Sequence, residues 1–334
     1  MADVARLAGV SIATVSHVLN GTRPVRPRTR EQVLNAVRRA NYTPNTVARS
    51  LATARTTTIG LALSAISNPY FGDLLRSVED AATEAGYTLL LADPREEPEY
   101  ELTVVRRLQH RRVDGLILAP SAQPHAALEF LSDHRVPTVL LDRLIQAGLD
   151  QVGSENVEPV ADLVGHLAGR GHRRIAMVAG HPGLATTLER REGYLLGLRR
   201  AGLPAEPGLL VGGRSETEAA RQAVHALMAL DQRPTAIITG NNSMTIGAMT
   251  ALREAGVEVP GGMALVGFDD FPWASLFSPG LTAVAQPFAE MGRRAVELLL
   301  ARMTTPDAPA TTVRLPPTFV HRESCGCPRR ATNP

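Results

Sequence analysis

Short apolar runs alternate with amphipathic stretches along the chain from residue 58 onward. Seven of these runs, each five or six residues long, have the composition of buried strands. Between them, apolar residues recur every three or four positions, which is typical of helices with one buried face. This order predicts a doubly wound α/β body with parallel sheets, and the number of strands suggests two such units. The predicted strands are TIGLAL, TLLLA, DGLILA, PTVLLD, IAMVAG, TAIITG and MALVGF, and the predicted helices are 71–86, 99–111, 159–169, 216–230, 243–255 and 288–302.

The N-terminal run GVSIATVSHVLNG, residues 9–21, has no net charge and is rich in β-branched residues. Because such residues disfavour helices, a buried strand is one interpretation. A helix is the other, since its residues then divide into two faces. Ser11 is placed to cap the start of this helix and Gly21 its end. The inward face would be Val15, Val18 and Leu19, and the outward face Ile12, Ala13, Ser16 and His17.

Amphipathic segments on either side of this run complete a pattern of three helices. Residues 4–8 form the first, Gly9 stands at the turn, and RTREQVLNAVRRANY forms the third. Three short helices with glycine in the first turn are typical of a helix-turn-helix, whose second helix enters the major groove of DNA. A three-helix bundle for protein contacts has the same pattern. The predicted inner face of the third helix is Val33, Leu34 and Val37.

Charge separates the N-terminal segment from the rest of the chain. Residues 1–57 hold nine arginines and two acids, a net charge of +7. Because the whole chain carries +2, residues 58–334 carry −5. A small basic head on a larger acidic body indicates polyanion binding, although a solvated basic face has the same composition.

Several classes of protein are disfavoured by what the sequence lacks. No apolar stretch approaches the ~20 residues that cross a bilayer, and the start does not have the pattern of a secretory signal. Glycine-rich nucleotide fingerprints and nucleophile or zinc-protease motifs are missing, so we predict no catalytic residues and no cofactor. The two cysteines, Cys325 and Cys327, form no disulfide framework and fit a reducing cytoplasm. His321 lies near them, but two thiols are too few for a closed zinc site and the tail is expected to fray, so no metal site is predicted.

Motifs along nearly the whole chain match those of one known family of regulators. The matching pieces near the start are DVARLAGVS, ATVSHVLNG, V-x-P-x-TR, NYTPN-x-VARSLAT and TTTIGL. Those in the body are SNPYF, RRVDGLIL, GHRRIAMVAG, ERREGYLLGL, RPTAIITGNN, VPGGMALVGFDD and LTAVAQP. In these motifs the chain resembles the LacI/GalR (lactose-repressor) family, and the resemblance implies a periplasmic-binding-protein-like core of two Rossmann-like subdomains, with an effector bound in the cleft between them.

The same resemblance implies the domain boundaries. It predicts three crossover strands between the subdomains, near 155–158, 284–288 and 314–318. The expected parts are a helix-turn-helix domain at 1–45, a hinge helix and linker at 46–57, an N-terminal core subdomain at 58–156 and 286–314, and a C-terminal core subdomain at 157–285 and 315–334.

Operator contacts follow from the helix-turn-helix geometry and the resemblance. Ile12 and Ala13 suit thymine methyl groups, and His17 can donate to guanine N7 or O6. The hinge helix, at about 46–53, is implied to enter the minor groove with Leu51 as an apolar wedge, unless Leu51 packs against the core instead. The expected contacts to the DNA backbone are Ser11, Thr14, Ser16, Arg23, Arg26, Arg28 and Arg49.

The resemblance also implies effector contacts at strand ends. Tyr70 and Phe71 would offer an aromatic face, Asp269 would hold a hydroxyl or ring nitrogen, and Arg190 would donate hydrogen bonds. Asn241 falls at another strand end in the same cleft. Asp142 and Glu155 are weaker candidates, and for each of the three acids helix capping or pairing between subdomains is the alternative.

Two residues depart from the family pattern in the cleft. Arg214 stands where sugar- and purine-binding members often have an aromatic residue, and its planar fork suits carboxylate or phosphate unless it points to solvent. Leu184 replaces an arginine of purine-binding members. Both changes argue against a purine and leave a modified sugar, a sugar acid or another small anion.

Together these features predict a ligand-responsive transcription factor, most often a repressor in this family. It would be cytoplasmic and associated with the nucleoid when bound to double-stranded operator DNA. It would be a homodimer rather than a tetramer, because the C-terminus lacks the leucine heptads of the tetramerising helix of the lactose repressor. A solute-binding protein of the same core fold is the alternative, but it predicts a signal peptide and no basic head. An enzyme of Rossmann type would need the missing nucleotide fingerprint.

Overall fold

The computed structural model describes residues 1–20, 23–42, 55–64 and 71–328. The chain divides into two compact units, Met1–Thr58 and Ile59–Pro334. Some sequence predictions lie outside the described residues: the cap at Gly21, the hinge helix at 46–53 with Arg49 and Leu51, and Tyr70.

The first unit contains three helices within its described residues: α1 (Ala2–Ala8), α2 (Ile12–Asn20) and α3 (Pro27–Arg39). Gly9 makes the turn after α1 with a φ of 64°, a left-handed conformation that glycine adopts without strain. The Thr14 amide donates a hydrogen bond of 3.1 Å to Ser11 Oγ. The predicted cap at the start of α2 is therefore confirmed, and the run at 9–21 begins as a helix and not a strand.

A small apolar core joins the three helices. Val4, Val15 and Val33 are fully buried, one from each helix, and the inward face predicted for α2 is confirmed. The prediction for α3 is wrong at Leu34, which is exposed, whereas Ala36 is buried. The positions three and four residues after Val33 lie on its face of the helix, and Leu34, one residue on, does not.

The second unit has two lobes, each built on a six-stranded sheet. Seven predicted strands and six predicted helices are all present, with helix ends shifted by up to two residues. The strands in chain order are β1 (Thr58–Ala62), β2 (Thr88–Ala92), β3 (Gly115–Leu118), β4 (Thr138–Leu141), β5 (Asp150–Ser154), β6 (Ile175–Ala179), β7 (Leu210–Gly212), β8 (Ala236–Thr239), β9 (Ala264–Phe268), β10 (Thr282–Ala285), β11 (Thr312–Leu315) and β12 (Thr318–Val320). The helices are α4 (Phe71–Glu84), α5 (Pro98–His110), α6 (His125–Asp133), α7 (Val157–Gly169), α8 (Ala185–Arg200), α9 (Thr217–Met228), α10 (Asn242–Glu254) and α11 (Phe288–Thr304).

The sheets have the same doubly wound order. The N-lobe sheet runs β11-β5-β4-β3-β1-β2 and the C-lobe sheet runs β12-β10-β9-β8-β6-β7. β1 pairs with β3 in parallel, with Ile59 opposite Gly115, and β6 pairs with β8 in parallel, with Ile175 opposite Ala236. The predicted parallel α/β architecture is confirmed. One edge differs, because β12 pairs antiparallel with β10.

The chain passes between the lobes three times, at 155–156, 286–287 and 316–317, and these passages are connections rather than the predicted crossover strands. After the second passage, α11 returns to the N-lobe and buries Val296 and Leu299 in its core. Each lobe is therefore assembled from separate stretches of sequence, and the lobes meet at the ends of their parallel strands.

The sequence pattern missed the helices α6 and α8 and the strands β5, β7, β10, β11 and β12. Helix α8 has almost no apolar face to detect, because it buries Thr186, Thr187 and Arg190 along with its apolar residues. Burying polar side chains is costly unless they are paired, so α8 indicates a functional region.

Among the described residues, no single helix is long and apolar enough to cross a membrane. Helices α1 and α2 satisfy that test by length and composition only when joined, and they meet at an angle of 98°.

Candidate functional site

A cavity of about 670 Å³ is lined by both lobes of the second unit. It lies at the carboxyl ends of the parallel strands, where doubly wound sheets bind their ligands. Six of the seven predicted effector residues line it, and the seventh, Tyr70, is outside the described residues. The six are Phe71, Asp142, Arg190, Arg214, Asn241 and Asp269.

Asp142 and Asp269 occupy equivalent places in the two lobes. Each directly follows a buried strand, β4 or β9, and each has a left-handed backbone, with φ of 69° and 75°. Aspartate tolerates this conformation better than most residues. Both are almost fully buried. Burial raises the pKa of Asp142, and the charge of Asp269 adds to this, while Arg143 and Arg190 act in the opposite direction.

Arg190 is held rigidly on α8 beneath the cleft. Its Nε donates to Asn156 Oδ1 at 2.8 Å and its Nη1 to the Gly240 carbonyl at 2.5 Å. Its Nη2 lies 4.0 Å from Asp269 Oδ1, and its guanidinium carbon is 3.7 Å from the Phe268 ring centre. The two hydrogen bonds use two of the five N–H groups, so donors remain for a ligand.

Asn241 and Arg214 line the cavity but are less directly placed to contact a ligand than Arg190 is. Asn241 caps α10, since its Oδ1 accepts from the Met244 amide at 2.9 Å. Arg214 is exposed at the rim of the cavity. This exposure favours the alternative in which the side chain points to solvent over the one in which it forms a wall of the site.

The sequence analysis missed many of the lining residues, and three of them, Glu96, Arg143 and Gln286, pair with other side chains at the cavity. Arg143 donates to both carboxylate oxygens of Glu96, with 2.8 Å to Oε2, and to the Pro120 carbonyl at 2.8 Å. Burial lowers the pKa of Arg143, but Glu96, followed by Asp142, outweighs this and raises it. Gln286 Nε2 donates to Asp269 Oδ1 at 2.8 Å. Gln286 is part of LTAVAQP, one of the motifs that match the family, and this match could have identified it as a site residue.

Two buried polar atoms at the cavity have no hydrogen-bond partner among the described residues. They are Arg143 Nε, a donor, and Gln286 Oε1, an acceptor. An unmet buried group costs about 1–3 kcal/mol. For Arg143 Nε, Asp142 Oδ2 at 3.7 Å offsets part of that cost. Both side chains therefore lie next to a buried carboxylate, Arg143 beside Asp142 and Gln286 beside Asp269.

The first unit presents the predicted DNA-contacting residues at its surface. Ile12 is 53% exposed, Ala13 is exposed and His17 is half-buried, so the outward face of α2 is accessible. Ser11 and Thr14 share a hydrogen bond of 2.9 Å between their hydroxyls, next to half-buried Ser16. All eight described arginines of this unit are exposed, including the predicted backbone contacts Arg23, Arg26 and Arg28.

Comparisons with known proteins match both units. A family model described as "Bacterial regulatory proteins, lacI family" matches residues 1–45, and one described as "Periplasmic binding protein-like domain" matches residues 164–325. The HTH-type transcriptional repressor PurR of Erwinia tasmaniensis is 37% identical over 330 residues, which cover 96% of this chain and 95% of that protein. The ribose operon repressor of Escherichia coli (strain K12) is 36% identical over 326 residues, covering 97% and 99%.

Solved structures agree in fold. The Lac repressor dimer bound to operator and the anti-inducer ONPF has a TM-score of 0.87 at 29% identity, covering 97% of this chain and 98% of that one. The transcriptional regulator CelR–cellobiose complex has a TM-score of 0.74 at 29% identity, covering 96% and 98%. Because relatives match along almost the whole length, the chain belongs to the lacI family of bacterial regulatory proteins, as a ligand-sensing transcriptional repressor.

Proposed function

We propose that this repressor binds a near-palindromic operator as a homodimer and senses a sugar or sugar derivative in the cleft between its lobes. The observation that carries the proposal is the presence, in one chain, of a basic helix-turn-helix and a two-lobed core with buried carboxylates and an arginine in its cleft. A symmetric dimer presents two recognition helices about one helical turn of DNA apart, so its operator has matching half-sites.

In this proposal α2 reads the operator sequence. Ile12 and Ala13 contact thymine methyl groups and His17 donates to a guanine. Leu51 wedges the central minor-groove step, an assignment that is supported by the family resemblance alone. The phosphate contacts are Ser11, Thr14, Ser16, Arg23, Arg26, Arg28 and Arg49.

The chemistry of the cleft favours a hydroxyl-rich effector. Sugar hydroxyls donate to carboxylates such as Asp142 and Asp269 and accept from guanidinium groups such as Arg190. The lining holds four arginines and five acids, which is not the excess of positive charge that a phosphate or a multiply charged anion requires. The ribose repressor relative and the cellobiose complex are named for sugars, which supports the same class.

Effector binding would act through the relative position of the lobes. Asp142 comes from the N-lobe and Arg190 and Asp269 from the C-lobe, so a ligand that contacts all three favours a closed cleft. Closure would rotate the N-lobes of a dimer and change whether the hinge helices pair. Coupling of this kind is typically about 1–3 kcal/mol, or roughly 5- to 150-fold in operator affinity.

Operator binding is tested by selecting duplexes from a random library and measuring affinity by fluorescence anisotropy at several salt concentrations. We expect a near-palindrome with half-site centres about 10 base pairs apart, bound by two chains, and an affinity that falls linearly with salt on logarithmic axes. Equal binding to all duplexes, or one chain on a single half-site in sedimentation experiments, would contradict the proposal.

The effector is tested by a thermal-shift screen of sugars, sugar acids, phosphosugars and nucleosides, with each hit repeated on operator DNA. A ligand that binds only the folded state raises the unfolding temperature by mass action. We expect a sugar or sugar derivative to do so and to change operator affinity. A screen in which only nucleosides bind would reject the assigned effector class.

Arg214→Gln should have a small effect, because Arg214 is exposed at the rim and solvent screens its charge. We expect a neutral sugar hit to keep its affinity within about threefold, and a sugar acid to weaken by at most about fivefold. Isothermal titration of the two ligand types measures this difference. A loss of neutral-sugar binding would instead place Arg214 inside the site.

A further inference from the structure

A second cluster of reactive side chains lies in the C-lobe, and none of its members lines the cleft. His166 stands near the end of α7, His321 directly follows β12, and Cys325 and Cys327 come shortly after it. Each residue offers one metal-binding atom, and all four atoms lie within 4.8 Å of one another. We propose that these residues form a closed Cys₂His₂ site for Zn²⁺.

Two separations in the cluster are close to the edges of a zinc tetrahedron. With Zn–N bonds of about 2.0–2.1 Å and Zn–S bonds of about 2.3 Å, ligand atoms stand roughly 3.3–3.8 Å apart. His321 Nε2 lies 3.2 Å from His166 Nε2, and Cys327 Sγ lies 3.7 Å from the same nitrogen. All four atoms lie within 4.8 Å of one another, so the pairs that are wider than a tetrahedral edge must close by about 1 Å or less when an ion binds.

The ligand types match the metal. Two thiolates and two neutral imidazoles are a standard set for structural zinc, and their charges cancel that of the ion, so the partly buried site carries no net charge. Zinc binds the deprotonated forms of these ligands, the thiolate and the neutral imidazole.

The surrounding chain holds the ligands in place. Gly326 has a φ of 82°, a left-handed turn between the two cysteines, and its carbonyl accepts a hydrogen bond from Arg170, just beyond α7. Ser324 is buried and its hydroxyl donates to the Leu265 carbonyl at 2.5 Å. The Phe319 ring lies against His321, at 4.4 Å between ring centres.

These contacts correct the sequence expectation for the tail. Residues 321–328 are ordered against the C-lobe and Cys325 is fully buried, so this segment does not fray. The sequence analysis counted too few ligands for a closed site because the fourth ligand, His166, lies 155 residues before His321 in the chain. Bound Zn²⁺ would fasten the segment after β12 to α7 and stabilise the C-lobe by mass action.

The test uses the full, untagged chain, freed of metal by a chelator and reduced, with two reduced thiols confirmed by the reaction of an unfolded sample with DTNB. Co²⁺ is the probe, because its thiolate charge-transfer and visible bands report tetrahedral sulfur ligation, and Cys325 and Cys327 are the only cysteines. We expect one Co²⁺ per chain with both bands, displacement by one Zn²⁺, protection of the half-buried Cys327 thiol from DTNB in the folded chain, and a higher unfolding temperature with Zn²⁺.

Variants identify the ligands. Cys327→Ser and His166→Gln should each weaken Co²⁺ binding by about tenfold or more. If circular dichroism shows that one of these variants does not fold, His321→Gln provides a second test of a histidine ligand. His110→Gln is the matched control, because His110 is an exposed histidine on α5, and it should bind as the wild type does. A reduced chain that shows no thiolate–cobalt band, or a band that survives both Cys327→Ser and His166→Gln, overturns the proposal.

Discussion

Replacing Arg190 with glutamine should abolish the effector response while ligand-free operator binding stays near the wild-type value. The guanidinium is fixed by Asn156 and Gly240 and lies beside Asp269, so its remaining donors are already aimed when a ligand arrives. Losing hydrogen bonds from a charged group costs about 1.5–3 kcal/mol, or roughly 10- to 150-fold in affinity. Titration of the sugar hit, with and without operator, measures both effects.

Arg190 is buried, so the design must separate binding from folding. Arg190→Lys keeps a positive charge beside Asp269 but loses the planar fork, so it should also bind effector poorly while being less destabilised than Arg190→Gln. Arg191→Gln is the matched control, because Arg191 is the next residue on α8 and is exposed. Wild-type effector affinity in both Arg190 variants would remove this residue from the site.

His17→Ala should weaken binding to the selected operator by about 1–3 kcal/mol, roughly 5- to 150-fold, and should relax the preference for one base pair in each half-site. Its binding to random duplexes should hardly change. The reason is that His17 is the polar group expected to meet a base edge on the outward face of α2, whose apolar neighbours Ile12 and Ala13 cannot donate hydrogen bonds.

Arg28→Ala provides the comparison for this prediction. Arg28 is exposed in the first turn of α3, where the helix N-terminus also favours phosphate. Its loss should weaken operator and random DNA alike and reduce the slope of the salt dependence by about one. Equal losses on operator and random DNA in His17→Ala would assign His17 to the phosphate backbone instead.

Local sequence patterns predicted the helix faces, the buried strands and the polar residues at strand ends. The 3.6-residue period placed Val15 inside and Ile12 outside on α2, and apolar runs located β1, β2, β3, β4, β6, β8 and β9. The family resemblance assigned Asp142 and Asp269 to one cleft, and both line one cavity because parallel strands in each lobe end at the same edge. Leu34 shows the limit of this reasoning, since choosing between neighbouring apolar residues depends on helix phase.

Partners that are distant in the chain were not predictable in this way. Helix α8 was missed because its buried residues are partly polar, and Arg190 acquires its role from Asn156, Gly240 and Asp269 on other elements. The pairing of Arg143 with Glu96 spans 47 residues and leaves no periodic signal.

By itself, the sequence determined the class of this protein: a basic helix-turn-helix head, a doubly wound α/β core and polar residues at the ends of its strands. These features are written in local periodicity, charge and motif, each of which depends on residues close together in the chain. The tertiary structure alone decided which side chains pair with one another in the cleft, that Arg214 lies at its rim, and that His166 meets the tail cysteines. Those facts depend on contacts between residues far apart in sequence, which only the folded chain brings within bonding distance.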